Sequence, residues 1–329
     1  MKKTLLIMAA CVVSIAMFAT DLTGKRIYIN PGHGSWGPND RPNATIPYPN
    51  LASTGMPDTC GFYESNTNLW KCLELRDRLE AAGAFVMMSR TQSGPWPYEK
   101  VDGEYPDYTY EHYKSLPDYE KYNRPLLDIA DEAEANNMDY FISVHSNAAT
   151  DGNTVNYMAY FYRGDNAGNH VVPGAIDRCK RSWYHAFECR SMDGLEPTNY
   201  DTRDPETSKH ILADIDFYHS SYDATLPSSG KTYTGYLGVL HHGVPGFLVE
   251  GYFHTYQPAR HRALNPDYCK QEGIRYYRGI VDFYGAEPDT KGYILGTVKD
   301  EHNAFTHELY KYAPNTNDQY KPLNGAVVT

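Results

Sequence analysis

Between residues 25 and 284, short apolar runs rich in β-formers alternate with stretches of helical periodicity. That alternation implies an α/β fold, a mostly parallel central sheet covered by helices on both faces. The strand candidates are Lys25 to Asn30 (KRIYIN), Val86 to Ser89, Tyr140 to Val144, Tyr157 to Tyr162 and Gly246 to Glu250. Tyr140 to Val144 is continuously apolar, as a buried central strand is. Leu69, Cys72, Leu73, Leu79 and Ala82 recur at helical spacing before Gly83, and Leu126, Ala130 and Ala133 mark a helix leading into the Tyr140 strand. Helical patterns also fit Gly174 to Cys189 and Tyr268 to Tyr284, the latter with Tyr276, Ile280 and Phe283 on one face.

Ligands gather outside the carboxyl ends of strands in such sheets, so ionisable side chains there carry the functional reading. His33 follows the first strand in Ile29-Asn30-Pro31-Gly32-His33-Gly34, where glycines let the backbone bend and leave the imidazole uncrowded. Alone it is weak evidence, because ordinary loop histidines look the same. His145 closes the Tyr140 run, a second histidine at a second strand terminus. Glu64, in GFYESN, sits at or just before the start of the Leu69 helix, where free amides and the dipole favour an ionised carboxylate. Glu250 closes an apolar strand, and burying it costs several kcal/mol unless a cation, a metal-bound water or an arginine compensates. Two histidines and a carboxylate are a standard protein ligand set for catalytic zinc, with the fourth position left open. A further carboxylate beside that position can serve as general base and then acid. The parts suit metal-assisted amide hydrolysis, and the residues alone leave open which glutamate is the ligand.

The blocks IYINPGHG, GFYESNTNLW, VMMSRT, YNRPLLDIADEAEANNMDYFISVHSNA, GYLGVL and FLVEGYFHT, in that order across residues 25–285, resemble the Amidase_3-type N-acetylmuramoyl-L-alanine amidases. Members of that family are zinc enzymes that cut the amide between N-acetylmuramic acid and L-alanine in bacterial peptidoglycan. The resemblance implies that His33, Glu64 and His145 hold Zn2+, that Glu250 is the catalytic acid/base, and that peptidoglycan or a muropeptide is the substrate. Two stretches depart from the pattern: a Pro/Asn-rich insert from Ser35 to Cys60, and Gln92 to Tyr122, loaded with Trp96 and seven tyrosines. Tyr98, Tyr108 and Tyr110 in the second are candidates for a wall that stacks on sugar or peptide, since tyrosine offers a flat apolar face with a polar tip; a loop packing on itself reads the same. Asn147, just past His145, and His242, in His241-His242-Gly243, are further candidate substrate contacts. His254 reads as a solvated loop histidine, and Arg90 and Arg124 as members of structural ion pairs. Two other functions remain open: a zinc peptidase or amidase acting on a non-wall substrate, and a wall-binding protein without turnover.

Lys2-Lys3 followed by Leu5 to Phe18, apolar but for Ser14, reads as an export signal cleaved after Ala19 and too short to span a bilayer. The expected location is the periplasm or cell surface, and the expected mature chain is soluble, monomeric and without a membrane span. A net charge of -11 argues against a nucleic-acid partner. Of the cysteines beyond Cys11, Cys72 reads as a core thiol, and Cys60, Cys179, Cys189 and Cys269 show no close metal-site spacing. The expected organisation is a signal peptide (1–19), a catalytic domain (20–286) and a segment (287–329) that starts with a linker. In that segment, Tyr293 to Asp300 and Pro322 to Val328 resemble the opening strands of a carboxypeptidase-regulatory-like β-sandwich. Two strands cannot bury a core, so they either pack on the catalytic domain or begin a truncated module, the reading favoured here.

Overall fold

The computed structural model describes residues 20–34, 45–46, 62–93, 124–148, 159–164, 211–286, 298–304, 317–323 and 325–327. In chain order the elements are β1 (Arg26–Pro31), β2 (Thr45–Ile46), β3 (Phe62–Tyr63), α1 (Glu64–Ala81), β4 (Phe85–Met88), α2 (Leu126–Ala135), β5 (Tyr140–Asn147), β6 (Ala159–Tyr162) and β7 (Ile211–Ala213). There follow α3 (Asp214–Tyr218), β8 (Tyr222–Thr225), β9 (Thr232–Gly235), a 3-10 turn over Gly238–Leu240, β10 (Gly246–Phe253), α4 (Gln257–Ala263), α5 (Pro266–Phe283), β11 (Lys299–Ala304) and β12 (Tyr320–Pro322). The main sheet runs β4-β1-β5-β10-β6-β7. Its first four strands are mutually parallel, β6 is antiparallel to β10, and β7 follows β6.

Successive side chains of a strand point to opposite faces, and both faces here are covered. Ile27, Ile29, Tyr140, Ile142, Val144, Phe247 and Val249 pack with Leu75 and Leu79 of α1 and with Tyr276 and Ile280 of α5. Tyr28, Phe141, Phe161 and Leu248 pack on the other side with Ile129 and Ala133 of α2 and with Val239 and Leu240 of the 3-10 turn. This two-sided burial is why the strands read as continuous apolar runs, with each fully buried large side chain contributing about 1.5–3 kcal/mol. Cys72 and Cys269 are buried free thiols.

Two strands outrun their expected ends. β5 continues to Asn147 and β10 to Phe253, so His145 and Glu250 lie within strands. The β10–β5 register shifts between Glu250 and Phe253, an irregularity of the kind that re-aims side chains next to active sites. At the C-terminal end, β11 and β12 pair antiparallel and overlap the expected Tyr293 to Asp300 and Pro322 to Val328 at Lys299–Asp300 and Pro322; residues 293–297, 324 and 328 lie outside the described residues. Just before β12, Asp318 accepts hydrogen bonds from Tyr256 Oη (2.7 Å) and Arg262 Nη1 (3.2 Å), which ties this pair to the segment around α4. Among the described residues, no helix is long and apolar enough to cross a membrane. The export signal (1–19), the helix expected at Gly174 to Cys189, Cys60, and Tyr98, Tyr108 and Tyr110 all lie outside the described residues.

Candidate metal centre

The cluster is assembled by one buried guanidinium. Arg90, just past β4, donates to the carbonyls of Pro31 (3.1 Å), Gly32 (2.9 Å) and His33 (2.8 Å) and to that of Ser65 (2.8 Å). It thereby ties the end of β1 to the first turn of α1, in place of the ion pair expected for it. Burial pulls its pKa down to about 10, which leaves it charged at neutral pH. The anchored loop holds His33 at φ 59°, a left-handed conformation that non-glycine residues adopt only when their surroundings compensate.

His33, Glu64 and His145 each offer one donor atom, and these atoms all lie within 4.8 Å of one another. His33 Nε2 is 3.3 Å from Glu64 Oε2, His145 Nδ1 is 3.2 Å from Glu64 Oε1, and the two imidazole nitrogens are 3.1 Å apart. Glu64 opens α1, and its Oε1 also accepts from the Ser146 amide (2.9 Å) and Asn68 Nδ2 (3.2 Å). Burial alone would raise its carboxyl, but the His33 and His145 rings outweigh that and hold it well below the usual carboxylate range. An ionised carboxylate and two imidazole nitrogens converging on one spot match the donors of a borderline-soft divalent cation. His33 is the solvent-facing member, with its side chain 25% exposed against 3% for Glu64.

Gly32 is required by this packing. A Cβ at that position would run into the His145 ring. Gly32→Ala is therefore expected to displace the imidazole and weaken metal binding about 10- to 100-fold, the usual penalty for disturbing a ligand's support. Chelator competition measures this, and an unaltered affinity would show that the ring is not held there.

Glu250 stands on β10 directly opposite His145 in the parallel register, so both side chains leave the same face of the sheet. Its Oε2 is buried without a hydrogen-bond partner. Burial, and next the Glu64 charge, push its carboxyl well above the ordinary carboxylate range, against a smaller opposing pull from Lys71. A carboxyl raised in this way holds a proton more readily than an ordinary one, which suits a group that takes and returns one.

The other expected site residues fall in different places. Asn147 ends β5 half-buried, its Oδ1 taken up by the Ala148 amide (2.8 Å). The structure does not bring His242 to the cluster: it is 2% exposed, and its ring centroid is 4.3 Å from that of Phe141, two pleats down β5 from His145. His254 is not a solvated loop residue; it is buried, stacked on Phe62, with Nδ1 3.0 Å from Ser146 Oγ. Arg124 does form an ion pair, with Glu132 at 2.6 Å.

Burial pulls His242 down to about 3 from an ordinary 6.5. The unfolded chain therefore binds the extra proton over that interval, so the neutral ring's stabilisation is complete above pH 6.5 and is lost as pH falls toward 3. His242→Asn, which keeps an acceptor for the Val244 amide, should flatten the fall in stability across this window in urea titrations. An unchanged slope would place the titration elsewhere.

Sequence reasoning missed Lys71. Its ammonium is fully buried, 2.9 Å from Glu272 Oε1 and 3.5 Å from the His145 carbonyl oxygen, and it lies 4.3 Å from the centroid of the Tyr252 ring. It supports β5 from behind at His145.

Two imidazoles and an acid at the carboxyl ends of parallel strands, with a second, half-buried acid on the neighbouring strand, are the layout of a metal-dependent hydrolase. The chain belongs to the N-acetylmuramoyl-L-alanine amidase family, Amidase_3, which it matches over residues 27–282. Membership makes it an amidase of cell-wall peptidoglycan. Similar solved structures include an N-acetylmuramoyl-L-alanine amidase from Clostridium difficile, 19% identical, covering 82% of this chain and 98% of that one, with a TM-score of 0.49. An amidase from Mycobacterium smegmatis is 15% identical, covering 80% of this chain and 99% of that one, with a TM-score of 0.49. The catalytic domain of an amidase from Bacillus (Paenibacillus) polymyxa is 14% identical, covering 79% and 98%, with a TM-score of 0.47. No curated protein matches the chain.

Proposed function

We propose that this protein is an exported, zinc-dependent enzyme that hydrolyses the amide between N-acetylmuramic acid and L-alanine. One observation carries the reading: in a chain of this family, the donor atoms of His33, Glu64 and His145 converge within 4.8 Å, with Glu250 on the adjoining strand. These three residues would hold Zn2+, which two imidazoles favour over magnesium or calcium. When bound, zinc lowers the pKa of water and polarises a carbonyl.

The rest is done by the chain. Glu64 keeps its charge because its oxygens are held by the Ser146 amide and Asn68 as well as by the two rings. Arg90 and Gly32 hold the imidazoles in register. Glu250 takes a proton from the attacking water and returns it to the departing alanine nitrogen, so the water adds to the lactyl carbonyl, the C–N bond breaks, and the amine leaves neutral. The half-exposed Asn147 at the end of β5 supports a role in substrate contact; Tyr98, Tyr108 and Tyr110 remain candidates for the same role.

Digestion of purified sacculi followed by mass spectrometry tests the function. Free stem peptides beginning with alanine and unsubstituted glycan chains are expected. Cleavage of plain peptides with intact sacculi left untouched would replace this reading by the non-wall one.

A further inference from the structure

Beyond the metal centre, the same face of the sheet carries an aromatic cluster that the reaction does not use. β6 pairs antiparallel with β10, with Ala159 opposite Glu250 and Phe161 opposite Leu248. Phe161 packs on this face, and α3 folds back over it, bringing the Phe217 and Tyr218 ring centroids to 4.9 and 5.8 Å from that of Phe161. Tyr218 in turn stacks on Tyr236, with centroids 4.1 Å apart and planes 16° apart. Burial, and next the charge of Glu250, push the Tyr218 phenol up, which agrees with its lying near that carboxyl.

The arrangement is clamped. Asp214, 0% exposed, accepts from the amides of Tyr236 (2.8 Å) and Leu237 (2.9 Å) with one oxygen, and from Gly164 (3.3 Å) and Ile215 (2.8 Å) with the other. One buried carboxylate therefore fixes the loop bearing Tyr236 against the helix bearing Tyr218. Despite this order, Phe217 and Tyr236 stay 41% and 40% exposed. Large aromatics held rigidly and left open to water are surfaces prepared for a ligand.

We infer that Phe217, Tyr218 and Tyr236 form a stacking platform for sugar rings of the glycan strand, beside the hydrolytic centre. The inference rests on the proposed muramoyl-amide reading and adds where the glycan lies. Sugar is the occupant that the charges favour. In the uncut substrate the lactyl carboxyl is tied up as an amide and the ring is neutral, whereas the stem peptide carries free carboxylates. The platform itself is uncharged; exposed Asp216 precedes Phe217, and exposed Asp223 pairs with Thr234, two residues before Tyr236, acids that repel an anionic peptide and leave a neutral sugar unaffected. A sugar's apolar C–H face fits a flat aromatic ring, and its hydroxyls can reach the phenol tips.

The test measures binding of two separate probes, a GlcNAc oligosaccharide, neutral like the amidated strand, and a free stem peptide, to the zinc-loaded protein by calorimetry. Tyr236→Ala is expected to weaken oligosaccharide binding about tenfold and leave stem-peptide binding as in the wild type, with Tyr236→Phe restoring the loss. Phe217→Ala, an exposed position, repeats the comparison should Tyr236→Ala fold poorly. Equal oligosaccharide affinity in wild type and variants, no oligosaccharide binding by the wild type, or a loss confined to the stem peptide would overturn the platform. Sacculus digestion by the wild type separates the two levels: released alanine-terminated peptides with unaltered oligosaccharide binding sink the platform alone, and no released peptides sink the reading beneath it.

Discussion

Glu250→Gln is expected to lower amide hydrolysis about 10²- to 10⁴-fold, the range set by loss of a positioned general acid/base. The side chain keeps its shape and loses only the capacity to accept and return a proton. Because His33, Glu64 and His145, the proposed metal donors, lie on other elements, the variant should still bind one equivalent of metal. Stem-peptide release from sacculi and elemental analysis measure the two effects, and substantial turnover by Glu250→Gln would remove the acid/base assignment. The metal-free protein offers an independent check. A carboxyl raised above its unfolded pKa stabilises the fold below that value and costs stability as pH rises past it. Metal-free Glu250→Gln should therefore melt above metal-free wild type at neutral pH, an instance of stability sacrificed at a working site.

Lys71→Met is expected to cost about 3–5 kcal/mol of folding stability, the penalty for stranding one member of a buried ion pair. Lys71 and Glu272 have side-chain exposures of 0% and 1% and join α1 to α5 across the base of the site. Glu272 Oε1 also accepts from Tyr276 Oη, and it lies so close to the β10 backbone that only glycine fits at Gly251. Without the ammonium, this carboxylate, 1% exposed, loses its ion-pair partner with no route to water. Chemical denaturation reads the loss directly. The double variant Lys71→Met with Glu272→Leu should recover much of it, because replacing both charges removes the stranded group. A single variant within about 1 kcal/mol of wild type would mean that water reaches the pair. The His145 carbonyl accepts from the same ammonium, so the variant should also bind metal more weakly than wild type.

Much of the site was legible because its parts occupy diagnostic local positions. His145 follows a run of apolar residues, Glu64 opens a helix, and His33 sits in a glycine turn, each visible from a few neighbours in sequence. Lys71 and Glu272 were legible only as anomalies, charges interrupting the buried stripes Cys72-Leu75-Leu79 and Cys269-Tyr276-Ile280, and nothing in either stripe says that the two anomalies meet. His242 read as a substrate contact because it precedes the Glu250 strand, while the fold turns that ring onto Phe141. The aromatic platform was illegible for the same reason. Tyr218 and Tyr236 stand on separate segments with no shared pattern, and the buried Asp214 and the β8–β9 pairing bring those segments together.

What the sequence by itself determined is the set of elements and the residue types at their ends, because strand and helix periodicities depend on near neighbours and the burial each face demands. The tertiary structure alone decided which of those ends meet. His33 and His145 are 112 residues apart, and Arg90 reaches back 57 residues to the His33 carbonyl. It also decided that Glu250 stands opposite His145 without a partner for its inner oxygen. Such pairings are set by sheet register and helix packing, which sum many weak contacts over the whole chain and leave no mark in any short stretch of it.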